Sequence, residues 1–187
     1  MDKVAQLDRP DRADLFNETA ARMGLNPVIV ENDFWVCWIL KHLFTITEFS
    51  DRLVFKGGTS LSKCFNLIQR FLEDIDIAVN FEKLGYYDIK DPRQAELSHA
   101  NRVILFKQML QTCRNYIANE FLPVLTGRIQ EKSSASDWQL QIDSADGSIV
   151  EFAYPTSLET GLDCIRPRVI LKLLTFQKIK GRGFDDR

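Results

Sequence analysis

Apolar and polar positions at the start of the chain follow helical spacing. Residues Asp11–Met23 repeat apolar side chains at near-helical intervals, with Asp11 as the candidate N-cap and a glycine after the last turn. A second helix is predicted to begin at Pro27, with Asn26 as its N-cap, and to run to about residue 44. The first part of the chain, residues 1–50, is therefore expected to be helical.

The second predicted helix carries an unusual density of aromatic residues. Its apolar positions are Val30, Phe34, Trp38 and Leu40. Glu31, Asp33 and Lys41 are expected to be more exposed. An aromatic run of this kind can stack nucleic-acid bases, but aromatic side chains at helical spacing more often pack a core. We predict that they pack this helix against a sheet.

A strand–helix–strand unit is predicted near the middle of the chain. It begins with the apolar strand Leu53–Phe55 and continues through the pair Gly57-Gly58 into a helix with one apolar face. A strand follows in which Asp74 and Asp76 alternate with apolar residues. The residues that would bury the opposite face of this strand are Ile75, Ile77 and Val79.

A long helix is predicted over Ala95–Leu125, with Pro123 and Gly127 marking its interruption or end. Its apolar stripe is Val103, Phe106, Leu110, Cys113 and Ile117.

The last part of the chain predicts strands. Trp138, Leu140 and Ile142 share one face of a first strand, and Ile149–Tyr154 forms its hairpin partner across a turn at Asp146-Gly147. In the final strand candidate, Cys164–Leu174, Pro167 requires either a sheet edge or a start near Arg168. The order of elements predicts an α+β fold, with a small mixed sheet flanked by helices.

Composition limits the class of protein. A chain of 187 residues with 45% hydrophobic content fits one domain, and a net charge of −2 does not indicate a polynucleotide-binding surface. Four scattered cysteines and two histidines argue against a zinc site or a disulfide framework. No secretory signal or membrane-spanning run is visible, so we expect a cytoplasmic protein with no membrane partner.

The glycine pair and the acid pair carry the candidate chemistry. Glycines at a helix start let backbone N–H groups approach an anion, and the helix dipole favours negative charge there. Asp74 and Asp76, at positions i and i+2 of a strand, point to one face and can share a divalent metal. Because both features flank one strand–helix–strand unit, we predict that they lie at the same edge of the sheet.

The sequence GGTSLSK followed by RFLEDIDI resembles the signature of the AbiEii/AbiGii toxin family, nucleotidyltransferases with a polymerase β-like core. The first block matches at Gly57, Gly58, Thr59, Ser60 and Lys63. The second matches at Arg70, Phe71, Glu73, Asp74, Ile75 and Asp76, with Leu72 where the family usually has serine. The N-terminal segments ADLFNETAARMGL and IVENDFWVCWIL also resemble one branch of the family. The similarity is good from about Leu7 to Asn80 and looser beyond.

The resemblance implies transfer of a nucleotidyl group from an NTP to an acceptor, with release of pyrophosphate. Asp74 and Asp76 would be the catalytic residues that hold Mg²⁺. The residues implied to bind nucleotide are Gly57, Gly58, Thr59, Ser60 and Lys63. Arg70 would either grip phosphate or pair with Glu73. The implied acceptor is tRNA, another RNA or a protein, and the implied partner is a cognate antitoxin.

Two departures from the family pattern give an alternative. Lys172 stands where a third metal-binding acid is expected after the RP motif, and Asp143 and Asp163 are the other candidates for that acid. Relatives also continue into a helical C-terminal region, which is not evident in residues 51–187. Even with these departures, we expect a single nucleotidyltransferase-like domain over residues 1–187. The alternative is a truncated, catalytically impaired relative that binds nucleotide or a partner protein.

Overall fold

The fold, given by a computed structural model, is α+β, as predicted. The structure describes residues 1–63, 74–133, 137–158 and 166–175. One mixed sheet contains the strands β1 (Leu53–Lys56), β2 (Asp74–Val79), β3 (Gln139–Ile142), β4 (Ile149–Ala153) and β5 (Arg168–Leu174). The helices are α1 (Asp2–Ala5), α2 (Arg9–Met23), α3 (Pro27–Leu43), α4 (Gly57–Lys63), α5 (His99–Tyr116) and α6 (Leu122–Lys132).

The sheet has the strand order β1-β2-β5-β4-β3. Strand β2 pairs antiparallel with β1 and parallel with β5, and β5 pairs antiparallel with β4. The predicted start of the last strand at Arg168 is confirmed. The other alternative, a position at the sheet edge, is not observed, because β5 lies between β2 and β4. Pro167 precedes the first ladder residue, so its missing N–H removes no bond between strands.

One face of the sheet packs against helices and the other is polar. The predicted burial of Ile75, Ile77 and Val79 is confirmed, and all three are at most 2% exposed. Alternate residues of β5 are buried in the same way. The opposite side of the sheet carries partly exposed charged residues, and we call it the polar face. Its charged members are Lys56, Asp74, Asp76, Glu151, Arg168 and Lys172.

The aromatic residues of α3 form the centre of the core, as predicted. Trp35 and Trp38 are fully buried, and both rings contact Phe152 of β4. The predicted start of α3, with Asn26 as the cap and Pro27 in the first turn, is also confirmed. The N-terminal aromatic run therefore has a packing role.

Two local predictions about the helices are wrong, and a third is only partly right. The cap of α2 is Asp8, whose carboxylate accepts the N–H of Asp11 at 2.9 Å. Glu31 is buried, because it accepts hydrogen bonds from the N–H and Oγ of Ser157. The predicted stripe of the long helix is right at Cys113 and Ile117, but the other buried residues of α5 are Leu105, Met109 and Tyr116. Val103 and Leu110 are more than a third exposed, because α5 has apolar residues on two adjoining sides and buries only one.

The long helical region is interrupted, but it does not end, near Pro123. A π-helical turn over Ile117–Phe121 joins α5 to α6, and Pro123 lies in the first turn of α6. Proline has no N–H to donate to the preceding turn. The wider π-helical turn tolerates this missing donor, so the helix continues through Gly127 to Lys132. In the part of the chain that the structure describes, no helix has the length and apolar character needed to cross a bilayer.

A buried polar network joins α2 and α3 to the segment after β4. Arg12 donates from Nε to Ser157 Oγ at 2.7 Å and from Nη2 to the Pro155 carbonyl at 2.7 Å. Glu31 accepts from Ser157 Oγ at 2.8 Å and from Thr156 Oγ1 at 2.9 Å. Ser157 therefore bridges a buried cation and a buried anion, and this fixes the N-terminal helices on the sheet domain.

Candidate active site

The turn between β1 and α4 lies directly against the acid pair. Gly57 has φ +77°, a conformation that side-chain-bearing residues rarely adopt. A Cβ atom placed on Gly57 would lie 2.1 Å from Asp76 Oδ2 and 2.9 Å from Asp76 Cβ. The glycine therefore lets the backbone contact the carboxylate, and the structure brings together the two features that the sequence predicts at one sheet edge.

Two hydroxyl groups hold the start of α4. Thr59 Oγ1 donates to the carbonyl oxygen of Asp74, and Ser60 Oγ donates to the carbonyl oxygen of Gly57 at 2.8 Å. Both residues are buried, whereas Gly58 is exposed in the first turn. In this structure, Thr59 and Ser60 are positioning residues that fix the helix start against β2.

Lys63, which is predicted to neutralise phosphate, forms an ion pair with Asp33 of α3. Both side chains are about three-quarters buried or more, with exposed fractions of 19% and 26%. Cys37 lies beside this pair, and its pKa is raised chiefly by burial, against the opposing influence of Lys63. The Cys37 thiol therefore stays protonated near neutral pH and is a poor nucleophile.

Asp74 and Asp76 lie on the polar face, with lysines on the strands to either side. In the sheet register, Asp76 is opposite Lys56 of β1 and opposite Lys172 of β5. The ammonium group of Lys172 donates to Asp74 Oδ2, and the two side chains are 37% and 42% exposed. The two carboxylates are therefore matched by two ammonium groups on the adjacent strands.

Neither of the two described candidate positions for a third acid supplies a carboxylate beside this pair. Lys172 occupies the position on β5, as the sequence shows. Asp143 caps the β3–β4 turn by accepting the N–H groups of Ala145 and Asp146. It is three strands from β2, about 14 Å at the usual spacing. Asp163 lies outside the described residues.

Glu151 is the polar-face acid that the sequence reasoning missed. It lies on β4 in register with Ile170, which in turn is opposite Asp74. Its carboxylate accepts a hydrogen bond from Arg168 at 2.5 Å, and its side chain is 16% exposed. Glu151 is therefore two strands from Asp74 and already has a cationic partner.

The donor set fits a divalent cation that is bound together with substrate phosphates. Among the described residues, no group of three or more histidine, cysteine, aspartate or glutamate side chains could hold a metal ion. Magnesium sites in phosphoryl-transfer enzymes commonly use one or two carboxylates, with phosphates and water completing the octahedron. Asp74 and Asp76 supply that number of carboxylates, at i and i+2 on one face of a strand.

Sequence reasoning singled out the acids, the glycines and Lys172, but it missed two other charged residues near them. The structure shows the role of Lys56 through the antiparallel register of β1 with β2, and that of Asp33 through its ion pair with Lys63. A local signal exists for Lys56, since it ends the strand that enters the glycine turn. Arg70, Phe71 and Glu73, which complete the second sequence block, lie outside the described residues, as do Cys64 and Cys164.

Comparison with protein families gives a match over most of the chain. Residues 38–178 match the family described as the nucleotidyl transferase AbiEii toxin of type IV toxin–antitoxin systems. The matched region is well over half of the chain and runs from α3 through β5. It therefore includes the glycine turn, the acid pair and Lys172. No curated protein and no solved structure matches the chain.

Proposed function

Because the chain belongs to the AbiEii family of nucleotidyltransferase toxins, we propose that it transfers a nucleotidyl group from an NTP to an RNA end, with tRNA as the first candidate. The observation that carries the proposal is the contact between Gly57 and the Asp76 carboxylate, next to Asp74 on the same polar face. This geometry supports a triphosphate site adjacent to two metal-binding carboxylates. Mg²⁺ is the proposed metal, and a cognate antitoxin in the cytoplasm is the proposed protein partner.

The chain's own residues would position the triphosphate. Asp74 and Asp76 would hold Mg²⁺, which when bound neutralises phosphate charge and lowers the pKa of an attacking hydroxyl. Gly57 and Gly58 would let phosphate oxygens approach the backbone at the start of α4, while Thr59 and Ser60 hold that backbone against β2. Lys63 would contribute positive charge by exchanging Asp33 for a phosphate oxygen.

In the proposed organisation, residues 1–187 form one nucleotidyltransferase domain. Residues 1–50 are its helical part and residues 51–187 its catalytic core. The Arg12–Ser157–Glu31 network supports this organisation, because it ties the N-terminal helices to the chain that follows β4.

A second candidate function is nucleotide binding without transfer. The observation that favours it is the ion pair of Lys172 with Asp74, because a lysine occupies the position expected for a third acid. In that case the protein would bind a triphosphate or a partner protein without turning over the nucleotide.

Label transfer from each α-³²P-labelled NTP to total tRNA, in the presence of Mg²⁺, tests the proposal. We expect incorporation by the wild-type protein, loss of about 10²-fold or more in Asp74→Asn and Asp76→Asn, and unchanged incorporation in Glu18→Gln. Glu18 is a suitable control because it is an exposed acid on α2, far in sequence from the acid pair, and forms an ion pair with Arg22. Saturable NTP binding without transfer to RNA or protein would contradict the proposal and support the second candidate. Label found on protein would instead show that the acceptor is a protein and not RNA.

A further inference from the structure

Lys172 is the one lysine of the described polar face whose ammonium group contacts a site aspartate within 4 Å. Its strand, β5, is central in the sheet. Val169, Leu171 and Leu173, which form the buried face of this strand, are fully buried. The backbone of Lys172 is therefore fixed, while its partly exposed side chain is free to change partner. The ion pair is consequently exchangeable.

The charge balance of the polar face changes when ligands arrive. Without ligand, Lys56 and Lys172 flank Asp76, and Lys172 neutralises Asp74 directly. A divalent cation that approaches Asp74 must therefore compete with an ammonium group that is part of the chain. A triphosphate brings several negative charges to the same place and offers the ammonium group a new partner.

We propose that Lys172 is a nucleotide-binding residue that couples metal binding to nucleotide binding. In the absence of nucleotide it occupies Asp74 and keeps divalent metal affinity low. When a nucleoside triphosphate binds beside the Gly57 turn, Lys172 transfers its hydrogen bond from Asp74 to a phosphate oxygen, and both aspartates become available to the metal. This inference rests on the proposed function for the identity of the nucleotide, but not for the competition at Asp74.

Manganese titration with and without nucleotide tests the coupling. Free Mn²⁺ is measured by electron paramagnetic resonance, alone and with a saturating α,β-methylene NTP that cannot be turned over. The variants are Lys172→Met, which keeps the apolar stem, Lys172→Arg, which keeps the charge, and Lys83→Met as the matched control. Lys83 is also a lysine paired with an aspartate, Asp51, but it lies outside the site. Lys172→Gln replaces the methionine variant if the latter does not fold.

We expect Lys172→Met to bind Mn²⁺ without nucleotide at least about fivefold more tightly than the wild type, the lower end of typical coupling between sites. The same variant should bind the nucleotide analogue without metal at least about fivefold more weakly. Lys172→Arg and Lys83→Met should behave like the wild type. Unchanged Mn²⁺ affinity in Lys172→Met would overturn the proposal, and so would tighter Mn²⁺ binding with unchanged nucleotide affinity. Mn²⁺ binding without nucleotide needs no turnover. If the wild-type protein transferred no label, the proposed function would be refuted, but the Mn²⁺ affinities would still test the competition at Asp74.

Discussion

Gly57 shows how one missing side chain sets the geometry of the candidate site. Its positive φ lets the chain turn from β1 into α4, and its missing Cβ leaves space for the Asp76 carboxylate. The contact involves Asp76 Cβ as well as Oδ2, so rotation of the carboxylate alone cannot relieve a clash. The identity of this residue is therefore fixed by the acid that it touches.

A matched pair of glycine substitutions tests this requirement. Gly57→Ala should lower the free energy of unfolding by about 1–3 kcal/mol, because it adds backbone strain and displaces Asp76. Gly127→Ala should raise it by about 0.5–1 kcal/mol, because Gly127 is inside α6 and has open space around it. Guanidinium unfolding measures both changes. Equal effects in the two variants would contradict the assigned contact.

His42 predicts a pH dependence of stability. The ring is buried against Trp38, and burial lowers the pKa of His42 below its ordinary value, although a hydrogen bond to Asp2 partly opposes this. The unfolded chain therefore binds more protons than the folded one as the pH falls below about 6.5, so stability is full above that pH and is lost below it. We expect the free energy of unfolding to fall between pH 7.5 and 5.5.

Unfolding curves of two histidine variants distinguish the effect of protonating His42 from the effects of protonating other groups. His42→Gln should flatten the dependence on pH, whereas His99→Gln should leave it unchanged because His99 is exposed. If both variants keep the wild-type slope, a group other than His42 is responsible.

At the scale of elements, the N-terminal helices are held by buried charges as well as by aromatic packing. Arg12 is 3% exposed and Glu31 is 1% exposed, and both bind Ser157. Removing one charge leaves the other buried with fewer partners. Arg12→Met should therefore lower the free energy of unfolding by about 3–5 kcal/mol.

Two further variants make that prediction specific. Arg12→Met/Glu31→Gln should lose less stability than the sum of the single changes, because each charge is costly only when the other is removed. Arg22→Met should change stability by less than about 1 kcal/mol, since its ion pair with Glu18 is exposed. Additive losses in the double variant would show that Arg12 and Glu31 act independently.

The sequence predicted elements better than it predicted their faces. Alternation identified β2, β3 and β4, and capping residues identified α3, because these signals are local. The buried stripe of α5 was predicted only in part, because that helix is apolar on two sides and only its neighbours decide which side is buried. Glu31 was expected to be exposed because its partners Thr156 and Ser157 are distant in sequence.

At the scale of the whole molecule, the candidate site is a row of charges across three strands. The order Lys56–Asp76–Lys172 exists only when β1, β2 and β5 are in register, and β5 comes almost a hundred residues after β2. The sequence could therefore predict the two acids and the glycine turn, which are close in the chain. It could not predict that Lys172 donates to Asp74, since strand order is not encoded locally.

Anomalous diffraction from a crystal with Mn²⁺ and an α,β-methylene NTP tests whether the polar face binds metal and nucleotide together. We expect a Mn²⁺ peak within coordination distance of the carboxylates of Asp74 and Asp76, with the triphosphate beside Gly57 and Lys172 on a phosphate oxygen. A Mn²⁺ ion and triphosphate bound away from the polar face, with the ion pair of Lys172 and Asp74 intact, would contradict it.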